Sequence, residues 1–146
     1  MTTQSMIDEF IAQHTLAVVG VSRDRRKFGN IVYRDLRDKG YRVLAVHRSH
    51  DTVEGDPCYP DLASLPEPVD GIVVVVPPHV TEQIVREADA IGLKRVWLQP
   101  GAASAAAIRY CEEHGLDVIY DECVMVLAPP KTPSKTPSLA VSPRKF

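Results

Sequence analysis

Short runs of β-branched and aliphatic residues alternate with longer stretches of helical periodicity along most of this sequence. We predict five strands, at 16–19, 42–46, 72–76, 95–98 and 117–120. Several of these runs are apolar throughout, as in parallel sheets whose two faces are both covered. Alternation of strand and helix is typical of βαβ units. The sequence therefore predicts an α/β fold, a Rossmann-like three-layer sandwich with a five-stranded parallel sheet in the order 3-2-1-4-5.

Apolar residues at helical spacing predict the helices that connect these strands. Two of the predicted apolar faces consist of Phe28, Ile31, Val32 and Leu36, and of Val80, Ile84, Ala88 and Ile91. We predict that Ser104 caps a further helix and that Ser5 caps a helix before the first strand. Four prolines fall between positions 51 and 70. We therefore predict a loop there, with at most a short helical turn.

Composition changes at position 128 of the 146 residues. The preceding residues, 1–127, have the length and apolar content of one domain. The last 19 residues hold five of the twelve prolines and a tandem Lys-Thr-Pro-Ser, with four basic side chains and no acidic one. We predict one Rossmann-like domain over 1–127 and a Pro-rich, basic, disordered tail over 128–146.

Charge and cysteine content argue against several classes of function. The net charge is −2, and because the tail contributes four positive charges, the rest of the chain has a net charge of −6, which argues against binding of nucleic acid. Cys58, Cys111 and Cys123 are odd in number and widely spaced, which fits reduced thiols rather than disulfides or a metal site. No apolar run approaches the roughly 20 residues needed to cross a bilayer, and no secretory signal pattern is present. We expect a cytoplasmic protein that binds neither membranes nor metals.

The loop after the first predicted strand has the residues of an anion-binding site. Ligands of open α/β sheets bind beyond the carboxyl ends of the strands, and this loop carries Gly20, Ser22 and Lys27 just before a predicted helix. A GxGxxG fingerprint that starts at Gly20 would need glycine at positions 22 and 25, where this chain has Ser22 and Arg25. The NAD fingerprint therefore fails, but a helix N-terminus beside hydroxyl and ammonium groups still favours a diphosphate.

The second predicted strand ends in His47 and Arg48. NAD-binding domains normally place Asp or Glu there to hold the ribose hydroxyls. Cationic side chains instead favour an additional phosphate on the ribose. NADP and coenzyme A both carry one, so this feature argues against NAD without choosing between the other two.

Four motifs occur in order at the ends of the predicted strands. They are Gly20-x-Ser22-x-x-x-x-Lys27-x-Gly29, Val75-Val76-Pro77-Pro78, Val96-Trp97-Leu98-Gln99-Pro100-Gly101, and Asp121-x-Cys123. With these motifs the chain resembles the single-domain CoA-binding protein family and is similar to the CoA-binding domain of the succinyl-CoA synthetase α subunit. The resemblance extends over roughly 15–125. One departure is that the family commonly has Asn-Pro where this chain has His47-Arg48.

The resemblance implies a Rossmann-type domain that binds coenzyme A or an acyl-CoA at the carboxyl ends of its strands. By matching position, Gly20, Val21, Ser22 and Lys27 would surround the diphosphate, and Arg25 and Phe28 belong to the same loop. Pro77 and Pro78 would border the adenosine or the pantetheine arm. Gln99 and Gly101 would line the crevice, and His47 and Arg48 would lie at the nucleotide end.

We assign no catalytic residue from the sequence. A ligase of the synthetase type would need a phosphorylatable histidine and a nucleotide-binding partner domain, and the sequence favours binding without catalysis. His79 and Cys123 are read as a solvent-facing and a buried residue, respectively. Two alternatives stay open: an NADP-dependent oxidoreductase, and a regulator that acts on a protein partner through the tail. The sequence leaves open whether the chain forms a homodimer.

Overall fold

The computed structural model of this chain describes residues 1–131. The strands are β1 Thr15–Val19, β2 Arg42–Val46, β3 Thr52–Val53, β4 Asp56–Tyr59, β5 Gly71–Val74, β6 Arg95–Leu98 and β7 Asp117–Ile119. The helices are α1 Gln4–Ile11, α2 Phe28–Asp38, α3 Pro78–Ala90, α4 Ala105–Glu113 and α5 Val124–Leu127. A short 3₁₀ turn covers Leu62–Ser64. The predicted α/β class is confirmed.

The strands form one seven-stranded sheet in the order β3-β4-β2-β1-β5-β6-β7. Only β3 is antiparallel to its neighbour, and the other adjacent pairs are parallel. Counted along the chain, the six parallel strands stand in the order 3-2-1-4-5-6, which is the order of doubly wound dinucleotide-binding sheets.

The predicted count of five strands and their predicted order were wrong. The third predicted strand, at 72–76, pairs with β1 and not with β2. The place beside β2 is taken by β4, which lies in the segment predicted to be a loop. Glu54 and Gly55 both have positive φ and join β3 to β4 in a tight hairpin. Pro57 suggested a loop, but it faces only the two-residue outer strand β3, and proline is tolerated near sheet edges.

Two layers of helices cover the two faces of the sheet. Leu16 and Val18 of β1 belong to a cluster with residues of α1, α2 and α5, whereas Ala17 and Val19 belong to a second cluster with residues of α3 and α4. Because alternate residues of β1 are buried on opposite faces, the strand is apolar throughout.

Several details of the helices differ from the prediction. Phe28 and Ile31 lie on the exposed face of α2, at 39% and 40% exposure, and Tyr33 fills the core position instead. Ile91 is likewise exposed. Helix α1 is capped by Thr3 rather than Ser5, because the Thr3 hydroxyl accepts the Met6 N–H at 3.2 Å. The predicted Ser104 cap of α4 is confirmed.

The described chain extends four residues into the predicted tail. Ala128 is buried, and the Lys131 ammonium lies 4.4 Å from the centre of the Tyr41 ring and donates to the Ile11 carbonyl at 2.9 Å. The rest of the predicted tail, 132–146, lies outside the described residues. Within 1–131, no helix combines the length and apolar character needed to cross a membrane.

Candidate functional site

Two glycines allow the chain to pack tightly where it leaves β1. Gly20 has φ +113°, and a Cβ atom there would lie 2.2 Å from the Val75 carbonyl oxygen. A Cβ atom on Gly29 would lie 2.2 Å from the Gly20 carbonyl oxygen. The loop after β1 is therefore pressed against the end of β5, and the first turn of α2 is pressed against the loop. Only glycine fits both contacts.

Asn30, in the first turn of α2, clamps the loop by its side chain. Its Nδ2 donates to the Ser22 carbonyl at 2.7 Å, and its Oδ1 accepts the Ser22 N–H at 3.0 Å. The Ser22 hydroxyl accepts the Asp24 N–H at 3.1 Å. The Ser22 backbone N–H is thus already bonded within the protein. As a donor, the hydroxyl makes only long contacts, 3.4 Å to Asn30 Oδ1 and 3.5 Å to the Asp24 carbonyl, so a closer ligand oxygen can replace them. Val21 is fully buried in the core, so its side chain takes no part in the site.

Lys27 and Phe28 mark the start of α2. Both are exposed, and the cap residue Lys27 makes no side-chain hydrogen bond to the helix. Helix α2 has eleven residues, and its N-terminal peptide N–H groups and dipole favour an anion beside the Lys27 ammonium.

Arg25 turns away from the crevice that the sequence assigned to it. Its Nε donates to Glu54 Oε1 at 3.1 Å, so its guanidinium contacts the β3–β4 hairpin. Arg26 pairs with Asp24 at 3.0 Å, and the hydrogen bonds from Arg26 hold the pKa of the Asp24 carboxyl below its usual value. Two cations of the loop are therefore neutralised by carboxylates of the protein.

A cavity of about 210 Å³ brings together four of the predicted residues, Gly20, His47, Arg48 and Pro77. Its other lining residues are Val19, Val46, Pro60, Val76, Val80, Gln83, Ile84 and Glu87. The lining is largely apolar, with His47 and Arg48 following β2 and with Gln83 and Glu87 from α3. A mostly apolar cavity with a few polar groups is typical of small-molecule and cofactor sites.

His47 lies at this cavity, and its ring stacks on that of His50 with centres 4.3 Å apart. The Nδ1 atom of His47 accepts the Ser49 N–H at 3.0 Å. Partial burial lowers the pKa of His47, and the nearby charges of His50, Arg48 and Lys27 lower it further. An anion bound among these groups would oppose that shift.

A second, shallower cavity of about 410 Å³ contains Pro77, Pro78 and Gly101. It shares Val76 and Pro77 with the first. The two cavities are therefore neighbours at the carboxyl edge of the sheet, and together they are here called the carboxyl-edge crevice. Their lining residues run from the end of β2, past Gly20 and the end of β5, to the loop after β6.

Gln99 does not line the crevice as predicted. It is fully buried and belongs to the lining of neither cavity. Its Oε1 accepts the Val124 N–H at 2.7 Å, and its Nε2 lies 3.4 Å from the Cys123 sulfur. The side chain therefore anchors the start of α5.

In the described part of the chain, His79 and the cysteines make no contact that indicates chemistry. His79 is exposed at the start of α3, and Cys123 is half-buried. Burial raises the pKa of the Cys111 thiol to about 12. Among residues 1–131, no group of three His, Cys, Asp or Glu residues is arranged to hold a metal ion.

Sequence reasoning missed the α3 side of the cavity and the Glu54 carboxylate. Gln83 and Glu87 are four positions apart on a predicted helix that follows a strand end, a spacing that places both on one helix face. That spacing was a usable signal for the cavity wall. Glu54 gave no such signal, because its position depends on the unpredicted hairpin.

The chain matches the family model described as "CoA binding domain" over residues 14–129. It is 26% identical over 119 residues to acetate–CoA ligase [ADP-forming] I of Archaeoglobus fulgidus, covering 75% of this chain and 17% of the ligase. It is 32% identical over 92 residues to the α subunit of acetate–CoA ligase [ADP-forming] II of Pyrococcus furiosus, covering 62% of this chain and 20% of the subunit. The chain thus spans about a fifth of the length of these relatives.

Among solved structures, a conserved hypothetical protein from Pyrococcus furiosus superimposes with a TM-score of 0.74 at 42% identity. That match covers 77% of this chain and 97% of the other. The family model extends from just before β1 to just beyond α5 and so includes the whole parallel part of the sheet. The chain belongs to the CoA-binding domain family.

Proposed function

We propose that this chain binds coenzyme A or an acyl-CoA in the carboxyl-edge crevice, through a Rossmann-like domain and without catalysis of its own. The observation that carries the proposal is that two neighbouring cavities lie along the carboxyl edge of the sheet. The first has Arg48 and His47 beside Gly20, and the second, which shares Val76 and Pro77 with it, is uncharged at Pro78 and Gly101.

The chemistry of coenzyme A matches this sequence of environments. The adenosine with its ribose phosphate would occupy the first cavity, where Arg48 supplies positive charge and His47 a ring that a bound phosphate would help to protonate. The diphosphate would lie beside Gly20, between the Ser22 hydroxyl and the Lys27 ammonium. The pantetheine arm, which has no charge, would follow Pro77 and Pro78 toward Gly101.

Calorimetric titration with CoA, dephospho-CoA, NADP and NAD at fixed salt tests the proposal. We expect CoA to bind and dephospho-CoA to bind at least about tenfold more weakly, a difference of about 1.4 kcal/mol. Preferential binding of NADP would favour an oxidoreductase instead. Absence of binding by all four nucleotides would refute the proposal and favour a role with a protein partner.

Lys27→Ala is the variant that tests the diphosphate position. Loss of a charge-assisted hydrogen bond is expected to weaken CoA binding by about 1.5–3 kcal/mol. Lys94→Ala is the matched control, because Lys94 is also exposed but precedes β6 at the opposite edge of the sheet. If Lys27→Ala and Lys94→Ala bind CoA with equal affinity, Lys27 does not contact the ligand.

A further inference from the structure

Glu54 is an almost fully buried carboxylate that lies outside the crevice. Its side chain is 1% exposed, and it occupies the hairpin between β3 and β4 with φ +53°. It is absent from the linings of both cavities that form the crevice. A buried carboxylate is costly unless its oxygens are paired, so its partners indicate what it does.

Three side chains, one from the loop after β1 and two from α2, donate hydrogen bonds to Glu54. Its Oε2 accepts Asn30 Nδ2 at 2.9 Å and Arg34 NH1 at 2.7 Å. Its Oε1 accepts Arg25 Nε at 3.1 Å. Burial alone would raise the pKa of Glu54, but these hydrogen bonds outweigh burial and leave its pKa below the usual value. Glu54 therefore carries its charge in the folded protein.

The contact with Asn30 links Glu54 to the peptide groups of Ser22. Asn30 Nδ2 donates to the Ser22 carbonyl and Oδ1 accepts the Ser22 N–H, and these two bonds set which way the amide points. Glu54 Oε2 accepts the same Nδ2 as a charged acceptor, so it anchors the Asn30 side chain beside the loop. Both peptide groups of Ser22 are thereby held by a side chain that Glu54 anchors.

The contact with Arg25 holds the other half of the loop. Arg34 NH1 also donates to the Arg25 carbonyl at 3.0 Å, so the Arg25 backbone and guanidinium are both tied to the Glu54 cluster. Lys27 follows two residues later, at the start of α2.

We propose that Glu54 is a positioning residue of the ligand site. It sets the shape of the loop at 22–27 through Asn30, Arg34 and Arg25, and thereby presents the Ser22 hydroxyl and the Lys27 ammonium to a diphosphate that it does not touch. This inference rests on the proposed binding of coenzyme A.

The test is the variant Glu54→Gln, titrated with CoA and with adenosine 3′-monophosphate, which carries the ribose phosphate and lacks the diphosphate. We expect CoA to bind at least fivefold more weakly and adenosine 3′-monophosphate to bind within twofold of the original chain. Glu54→Gln replaces a charged acceptor by a neutral one, so the hydrogen bonds from Asn30, Arg34 and Arg25 are weakened and the loop is held less firmly. The Ser22 amide proton should therefore exchange with solvent faster in the ligand-free variant.

Asp56→Asn is the matched control. Asp56 is a carboxylate of the same hairpin that accepts from Tyr33 and Arg37, at 2.7 and 3.1 Å, and has no hydrogen bond to the loop. We expect its CoA affinity to stay within twofold. A similar loss in both variants, or a parallel loss of adenosine 3′-monophosphate binding, would show a general structural effect and overturn the inference.

Arg25→Ala is a second variant for the case that Glu54→Gln fails to fold. The Arg25 side chain is 68% exposed, so its truncation is expected to leave the fold intact. We expect this variant to weaken CoA binding and to leave adenosine 3′-monophosphate binding unchanged. Unchanged CoA affinity would overturn the role of this contact. If the original chain binds no CoA, the proposed function fails. Ser22 amide exchange in Glu54→Gln and Asp56→Asn still tests whether Glu54 fixes the loop.

Discussion

Replacing Gln99 by leucine is expected to lower the free energy of unfolding by about 1–3 kcal/mol and to leave CoA affinity within twofold. Gln99 is fully buried, and its Oε1 accepts the Val124 N–H at 2.7 Å. Leucine is apolar and of similar volume, so most of the packing is retained. The Val124 N–H, which is also buried, would lose its acceptor. An orphaned buried donor costs about 1–3 kcal/mol.

Loss of the contact between Gln99 and Cys123 adds little to the expected loss of stability. Gln99 Nε2 lies 3.4 Å from the Cys123 sulfur, and thiol sulfur is a weak acceptor. The loss is therefore dominated by one backbone N–H.

Urea denaturation measures the effect directly. With a slope of about 2 kcal/mol per molar urea, a loss of about 2 kcal/mol lowers the midpoint by about 1 M at unchanged slope. Gln4→Leu is the control, because Gln4 is exposed and bonds only to Asp8 on the same helix, and such surface changes stay within about 0.5 kcal/mol. If Gln99→Leu loses CoA affinity at unchanged stability, Gln99 belongs to the crevice after all and the reasoning is refuted.

Two further predictions concern Gly20 and His47. Gly20→Ala should destabilise the fold by about 2–5 kcal/mol, because the added methyl would lie 2.2 Å from the Val75 carbonyl oxygen and the backbone would be strained. Gly55→Ala is the control, since Gly55 also has positive φ (+78°) but has no atom within 4 Å of an added Cβ, and thermal unfolding should show only the strain cost of about 1–2 kcal/mol. Equal losses of stability in the two variants would contradict the close contact at Gly20. Because partial burial and neighbouring charges lower the pKa of His47, its contribution to the stability of the ligand-free protein is complete above the ordinary pKa of about 6.5 and declines as the pH falls below it. A bound phosphate opposes that shift, so CoA binding should take up a proton at mildly acidic pH. Calorimetry in buffers of different ionisation enthalpy measures this uptake, and the same uptake in His47→Gln would exclude His47 as the acceptor.

The sequence predicted the parts of the fold that depend on burial. The strands buried on both faces, β1, β2, β5 and β6, are apolar runs, and each was predicted within a few residues. The hairpin of β3 and β4 was missed because edge strands need little apolar sequence, and because its Pro57 is typical of loops. The wrong strand order follows from this omission, since β4 occupies the place beside β2.

The candidate site, like the fold, was predicted where it depends on the buried strands and missed where it depends on the hairpin. Gly20 and His47 were predicted because they follow strand ends, and a parallel sheet gathers its carboxyl ends at one edge. Pro77, Gln99 and Gly101 were predicted from the family resemblance. The direction of a side chain is not fixed by that position, which is why Gln99 was placed in the crevice although it points into the core. Glu54 contacts Asn30 across 24 positions, and only the unpredicted hairpin makes that contact.

The pairing of charges in the folded chain explains how an acidic protein can offer a site for a polyanion. The loop at 23–27 contains four cations, but Arg25 is paired with Glu54 and Arg26 with Asp24. Lys27 and Arg48 form no ion pair with any residue in the described range 1–131. The carboxylates of the loop and hairpin therefore neutralise two of the four loop cations, and Arg23, like Lys27, has no ion pair within 1–131. Weakening the Glu54 pair would add positive charge near the crevice and still impair binding, because the proposed site depends on where its cations are held rather than on how many it has.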